Sequence, residues 1–438
     1  MKQDDRGSDK SMAVMAILLF LLTMLIGLPI AFALGLSSVF VAVSQEYQLL
    51  QWAQRIYSGL DSFTLLAVPF FVLAGNIMNT GGITERLVDF AQYAVGRISG
   101  GLAQTNILVS MLFAGISGAA VADTSAIGSV LIPAMEKEGY DSDFSAAITV
   151  ASSSAGPIIP PSILMVLYGV STGTSIGALF LAGMVPGILL GVGLMIVTYL
   201  YARRRNYPRL EIDFELKVFL RKFKDVLIPL LAPVIIVGGI VGGIFTPTEA
   251  ASVAVLYALI VTLFIYRELE LADLPGVFLS SGLLSGVILL IIGFANTVAW
   301  IISMEQVGVT VAGSIQAFTD NTLLFLLLIN LFLLFIGMFM EAGAAIIILA
   351  PILSPLAQQY GIHPLHFGFV MVLNLTIALS TPPIGICLFV GSKISGVDVK
   401  RLSIAILPFL MLLIGVLLLV TYVPAISMWV PEIFGYYP

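Results

Sequence analysis

The chain has 438 residues, of which 59% are hydrophobic and 10% charged, with a net charge of −6 and a mean hydropathy of +1.08. A soluble domain carries roughly 25% charged residues, so this composition excludes an ordinary soluble protein and implies an integral membrane protein. Long uninterrupted apolar runs select spanning helices over alternating barrel strands, and a single cysteine with two histidines excludes a disulfide framework and argues against a structural zinc site.

In chain order, "MKQDDRGSDK" precedes an apolar run from Met12 to about Ser44. This run is too long for the apolar core of a signal peptide and exceeds the ~30 Å hydrocarbon thickness, which predicts a retained first span with a tilt or bend near Gly27–Pro29. Further spans are predicted near 63–80, 143–171, 175–202, 226–246, 249–266, 275–303, 364–392 and 402–428. Residues 102–135 and 321–358 are different, because "GISGAAVADTSAIG" and "GMFMEAGAA" put glycines, small residues and one carboxylate at the midpoint. They predict re-entrant hairpins, a backbone tolerated at membrane depth only where protein or water covers it. The competing reading is a pair of ordinary spans meeting at a surface loop.

Loop charge orients the chain. The basic cluster "RRRNYPR" at 203–209, with Arg221, Lys222 and Lys224, places 203–225 in the cytoplasm. Counting spans from there puts Arg86, Arg97, Arg267, Lys393, Lys400 and Arg401 inside, "TPTE" at 246–249 and the C-terminus outside, and the N-terminus in the cytoplasm. The two hairpins then enter from opposite faces, the signature of an inverted repeat.

The repeat is visible in residues. Asp123 and Glu341 each precede a proline by ten positions, an offset of 218; thereafter the offset becomes 222, pairing Pro133 with Pro355, Gly139 with Gly361, and Pro160–Pro161 with Pro382–Pro383. "SSSAGPIIPPS" (152–162) thus lies on "NLTIALSTPPI" (374–384). Proline lacks the N–H a helix needs, so both segments are predicted to be discontinuous helices. One such break is an ordinary kink. Broken helices at corresponding places in two halves point to a transporter's binding site.

A break frees carbonyl groups, which with hydroxyls suit a small hard cation such as Na⁺, and positive helix N-termini, which suit a carboxylate. The first candidate half-site contains Ser152, Ser153, Ser154 and Gly156, facing Ser117, Gly118 and Asp123 at the hairpin tip. The second contains Asn374, Thr376, Ser380 and Thr381, facing Gly337 and Glu341, with a central space between the two. Few carboxylates favour Na⁺ over a divalent metal. Each hydroxyl also has a structural reading as a backbone partner within its own helix. Asp123 and Glu341 are costly intramembrane carboxylates that either belong to the site or cap the helix after the hairpin turn, and the two roles are compatible.

Glu249 reads as a structural helix start, with Thr248 near the cap. Glu305 and Asp320 read as solvated outer-edge residues, Asp61 is ambiguous, and His363 and His366 flank Pro364 in an outer loop rather than relaying protons. No HExxH, Walker A or dinucleotide fingerprint is present. Ser117 in "GISGAA" has no base to make it a nucleophile, so the chain is read as a transporter driven by an ion gradient and not as an enzyme.

"GISGAAVADTSAIGSVLIPAM", "SSSAGPIIPPS", "MEAGAAIIILAPIL" and "LNLTIALSTPPIG", with "VPFFVLAGNIMNTGGIT" and "GGIFTPTEAA", resemble the large membrane subunit of tripartite ATP-independent periplasmic (TRAP) transporters across essentially the whole chain. The resemblance implies import of an organic acid, such as a C4-dicarboxylate or sialic acid, coupled to Na⁺ at the bacterial inner membrane. It implies a separate small four-helix membrane subunit and a periplasmic binding protein as partners, and no nucleic acid. It implies an all-α polytopic elevator fold. Residues 102–171 and 308–392 would move against a scaffold of 1–101 and 172–307, with 393–438 as the last span. The substrate would meet Ser117, Ser154, Glu341, Thr381 and Pro382. A stand-alone Na⁺/carboxylate symporter is the alternative, and an intramembrane hydrolase using Ser117 a more distant one.

Overall fold

In the computed structural model, the described residues are 15–436 except 16–17, 21, 24–25, 46, 212, 214 and 305–318, and these are helices and connections without a strand. The apolar N-terminal run bends as expected: Gly27 has φ +92 and Pro29 caps helix α1, Ile30–Ser44. An amphipathic helix α2, Leu49–Leu60, buries none of its residues and precedes a short 3₁₀ turn, Phe63–Leu66, that leads into α3, Ala67–Thr80. Helix α4 covers Ile83–Val95.

Two helix pairs follow at matching places. Helices α5 (Gly101–Ser117) and α6 (Ala120–Lys137) meet at Gly118–Ala119. Gly118 has φ +62, a left-handed turn that L side chains resist. Helices α13 (Thr322–Phe339) and α14 (Ala342–Gln359) meet at Met340–Glu341. After each pair comes a broken helix: α7 (Ser142–Ser152), a 3₁₀ turn at Ser153–Ala155, then α8 (Ile163–Thr172); and α15 (Pro364–Ala378), then α16 (Ile386–Ser395). Both diproline bonds, Pro160–Pro161 and Pro382–Pro383, are cis. The sequence spans 143–171 and 364–392 are therefore each two half-helices.

Between the halves run α9 (Ile176–Arg205), α10 (Leu216–Val241), α11 (Pro247–Leu259, continuing as a π-helix Ile260–Tyr266) and α12 (Leu274–Met304). The predicted loop 203–225 shrinks accordingly, since helix claims both its ends. The last predicted span, 402–428, is three pieces: α17 (Val399–Ala405) bends by 56° into α18 (Leu407–Tyr422), and α19 (Ala425–Ile433) follows Pro424. Among the described residues, seven helices are long and apolar enough to cross a bilayer, or eight if the bent pair is one span.

Helix α9 shows how lipid and protein faces divide. Met184, Ile188, Val192, Ile196 and Leu200 are exposed at every fourth position, which is one face of a helix. On the opposite side, a methyl at Gly183 would strike the carbonyl of Ile158, and one at Gly187 would strike Ile159. Missing side chains let α9 seat the first break directly, as small residues do between membrane helices. Helix α9, expected in the scaffold, packs on α5, α8, α15, α18 and α19.

Among the described residues, four ion pairs join neighbouring segments: Arg86–Glu268, Lys222–Asp89, Arg205–Asp141 at 2.6 Å and Arg401–Asp143 at 3.0 Å. Every one of them joins segments that loop charge assigns to a single face. Glu249 does mark a helix start, but the cap is Thr246, not Thr248. Thr246 and Glu249 form a reciprocal capping box around Pro247, while Thr248 is buried and donates to the carbonyl of Phe63 at 2.8 Å. His366 is not in a loop. It lies in α15, buried, with its ring nitrogens 3.0 Å from Ser427 Oγ and 3.2 Å from the Thr421 carbonyl, and His363 caps the same helix. Asp320 and Asp61 are exposed, and Glu305 lies outside the described residues.

Candidate functional site

The two hairpins and broken helices interlock. Helix α6 of the first half packs on α16 of the second, and α14 of the second packs on α8 of the first. The breaks themselves touch: Ser154 Oγ and Ser380 Oγ are 3.3 Å apart, and Ser380 donates to the Val150 carbonyl at 3.2 Å. The half-sites therefore meet at their centre, and the open space lies to one side of them.

In the first half, Asp123 is fully buried and accepts the Ser117 hydroxyl through Oδ1. Its Oδ2 is buried with no hydrogen-bond partner, and it faces Gly156 so closely that a methyl there would overlap it. Ser153 and Thr124 share a 2.6 Å hydrogen bond beside it, and α16, which carries the buried Cys387, packs on α6 and α7. Ser152 turns away. It exchanges hydrogen bonds with Ser110 at 2.9 Å and Asn106 at 3.1 Å, fastening α7 to α5.

In the second half, Asn374 donates to the Asn330 side chain at 2.7 Å, while its own Oδ1 is buried without a partner. Thr376 and Thr381 spend their hydroxyls on the carbonyls of Val372 and Ile377, four residues back at 2.7 and 2.8 Å. Gly337 is a packing residue, pressed against Ala378 and Leu375. Glu341 is the N-cap of α14 and accepts from Ala344 N at 2.9 Å.

Asp123 and Glu341 are consequently not equivalent positions. Helices α6 and α14 begin and end 222 residues apart, so Glu341 matches Ala119, the cap of α6, and Asp123 matches Ala345. The offset of 218 paired a residue inside a helix with one that caps it. One offset of 222 serves throughout the hairpins and the helices before the breaks.

A cavity of about 450 Å³ opens between the hairpin tips, α8 and α12. Of the five residues expected to meet substrate, Glu341 lines it; Ser117, Ser154, Thr381 and Pro382 do not. Thr124, Cys387, Asn106, Ser110 and Asn330 went unnoticed in the sequence because lone polar residues in apolar helices look the same whether they join a network or face a groove. Among the described residues no three of His, Cys, Asp and Glu gather as metal ligands.

Residues 17–426 match the family described as Tripartite ATP-independent periplasmic transporter, DctM component. The chain belongs to that family. This DctM-family chain is 44% identical to the C4-dicarboxylate TRAP transporter large permease protein DctM of Pseudomonas aeruginosa, with 87% of this chain and 90% of that one covered. It is 42% identical to the isethionate TRAP transporter permease protein DctMQ of Oleidesulfovibrio alaskensis, over 94% of this chain and 65% of the relative. The crystal structure of the Alcanivorax borkumensis YdaH transporter shares its fold, with a TM-score of 0.56 at 17% identity and coverage of 93% and 97%. The chain is thus a multi-pass TRAP large permease.

Proposed function

We propose that this permease imports an organic acid in symport with Na⁺, together with a separate small membrane subunit and a periplasmic binding protein that delivers the substrate. The observation that carries the reading is a pair of orphaned acceptors, Asp123 Oδ2 and Asn374 Oδ1, buried on either side of the touching breaks. A buried acceptor without a partner costs roughly 1–3 kcal/mol, more if charged, so each is accounted for by an occupant that satisfies it. The donor set fits Na⁺: a carboxylate, an amide oxygen and hydroxyls, all hard oxygens with one fixed charge.

Asp123, Ser153 and Thr124 would hold a cation in the first half, with Ser117 orienting the carboxylate and Gly156 leaving room beside it. Asn374 would hold one in the second, with Asn330 fixing its amide. Bound Na⁺ supplies the charge that makes this carboxylate tolerable at depth and links substrate binding to the ion gradient. Residues 102–171 and 308–392 form the moving part, carrying α9 and α18 on the surfaces they pack against, while α1–α3 and α10–α12 with the small subunit form the scaffold. The halves are inverted copies, the hairpins re-entrant from opposite faces, the N-terminus cytoplasmic and the C-terminus periplasmic. The DctMQ relative, with a third of its length beyond the match, supports the small-subunit partner.

Reconstitution with the small subunit and binding protein tests the proposal. Uptake is expected to require both an inward Na⁺ gradient and the binding protein. Uptake without the binding protein identifies a stand-alone symporter, and uptake indifferent to Na⁺ rejects the cation assignment.

A further inference from the structure

The cavity between the hairpin tips is chemically one-sided. Its walls are Val121 of α6, Leu164 and Leu167 of α8, Ile347 of α14, and Val287 and Ile291 of α12. Among the described residues lining it, Ser125 and Glu341 carry its polar side-chain atoms and none is basic. Its volume of about 450 Å³ accommodates a short fatty acid, a C4-dicarboxylate or a nine-carbon sugar acid alike, so size does not discriminate and polarity does. One carboxylate has a place at the N-terminus of α6, whose first residues Ala120, Val121 and Ala122 line the cavity and which no side chain caps. At α14 and α8, Glu341 and Ser162 cap that position themselves, so a second carboxylate would be stripped of water with no cationic side chain to meet it and with Glu341 on the same wall. A polyhydroxylated acid would bury hydroxyls against leucine and isoleucine with their hydrogen bonds unmade.

We propose that this cavity takes an organic acid with a single anionic head and an aliphatic or aromatic body, and discriminates against C4-dicarboxylates and polyhydroxylated sugar acids. The inference rests on the transport reading above and narrows its substrate. Leu164, Leu167 and Ile347 set the selectivity by the apolar surface they offer the body of the acid.

The test uses the purified full-length chain in detergent with NaCl, following thermal unfolding against a panel of acids. Half-maximal stabilisation by 4-methylpentanoate is expected at a concentration at least ten-fold below that of succinate or N-acetylneuraminate. From propanoate to hexanoate, each methylene should lower the half-maximal concentration about four-fold, the ratio that corresponds to burying one CH₂. In Leu167→Asn this dependence on length flattens, and in Leu167→Met it is retained. 4-Methylpentan-1-ol, the same body without the anion, should give no shift.

Tighter binding of succinate or N-acetylneuraminate, a flat series, no shift with any acid, or an equal shift with the alcohol would each overturn the assignment. Sodium-driven uptake of a dicarboxylate by the reconstituted transporter would overturn it as well and leave the transport reading intact. Absence of any Na⁺-driven uptake would remove the transport reading instead, while the detergent titration would still report what the cavity binds.

Discussion

Replacing Gly156 by alanine isolates the question of whether the Asp123 carboxylate holds a cation. Gly156 has φ −50 and ψ −60, ordinary right-handed values, so alanine meets no backbone resistance and restricts the unfolded chain, worth about 0.4–1 kcal/mol in its favour. Its methyl, however, would overlap Asp123 Oδ2, and it would sit 3.1 Å from Cγ and 3.2 Å from the Ser153 carbonyl. Overpacking of one methyl into a filled site costs about 1–3 kcal/mol, and here it falls on the carboxylate. If Asp123 yields by rotating, its unpartnered oxygen leaves the position it holds now. Displacing a supporting group typically weakens an ion about 10- to 100-fold, so the Na⁺ concentration for half-maximal uptake should rise by that factor with protein yield little changed. The assay is a Na⁺ titration of uptake in proteoliposomes for Gly156→Ala, Asp123→Asn and the double variant. Because the methyl acts through the carboxylate, the double variant should be no worse than Asp123→Asn alone. Additive losses, or an unchanged Na⁺ titration in Gly156→Ala, would refute the reasoning.

Glu341→Gln keeps an oxygen for Ala344 N, so it should be made in normal amounts yet transport less, whereas Glu341→Ala also loses the cap, at about 1 kcal/mol, and should melt lower; normal transport by purified Glu341→Gln makes the residue a cap alone. Asp141 has its carboxyl held below the usual range by the Tyr207 hydroxyl first and by Arg205 next. Its contribution is therefore present at neutral pH and lost as pH falls through that lowered value. The pair is half exposed, so Asp141→Asn should reduce the melting stability by only about 0.2–1 kcal/mol at pH 7 and by less at pH 3; an equal deficit at both values contradicts the assignment. Thr246→Ala should cost about 0.5–2 kcal/mol through the capping box, and Thr248→Ser, which retains its bond to Phe63, much less; the reverse order in detergent melts would return the cap to Thr248.

How much was legible differs between the two halves of the site. The breaks were plain in the letters because two consecutive prolines act locally: each removes an N–H and the second drives the first out of the helical region, whereas single prolines such as Pro186 and Pro229 stay inside helices. The hairpin turns were equally plain, since glycine and small residues with a carboxylate interrupt an otherwise apolar run. The pairing of Asp123 with Glu341 failed for a physical reason. Both stand ten residues before a proline, but whether a carboxylate caps a helix or sits one turn inside it depends on where the helix begins, and helix ends are set by turn geometry that no single residue announces.

Composition and local pattern determined by themselves that the chain spans a membrane as helices, and that two of its apolar stretches are interrupted at matching places, each ahead of a broken helix. These are properties of segments tens of residues long, fixed by burial in lipid and by the missing proline N–H. Tertiary structure alone decided which hydroxyls look at each other. Ser152 turns to Asn106 while Ser153, its neighbour, turns to Thr124, because successive positions on a helix point about 100° apart. It alone brought Cys387 from the second half into the first, and it alone set Ser154 against Ser380. Contacts between residues over two hundred positions apart are written in how the two halves cross, and that crossing exists only once the chain has folded.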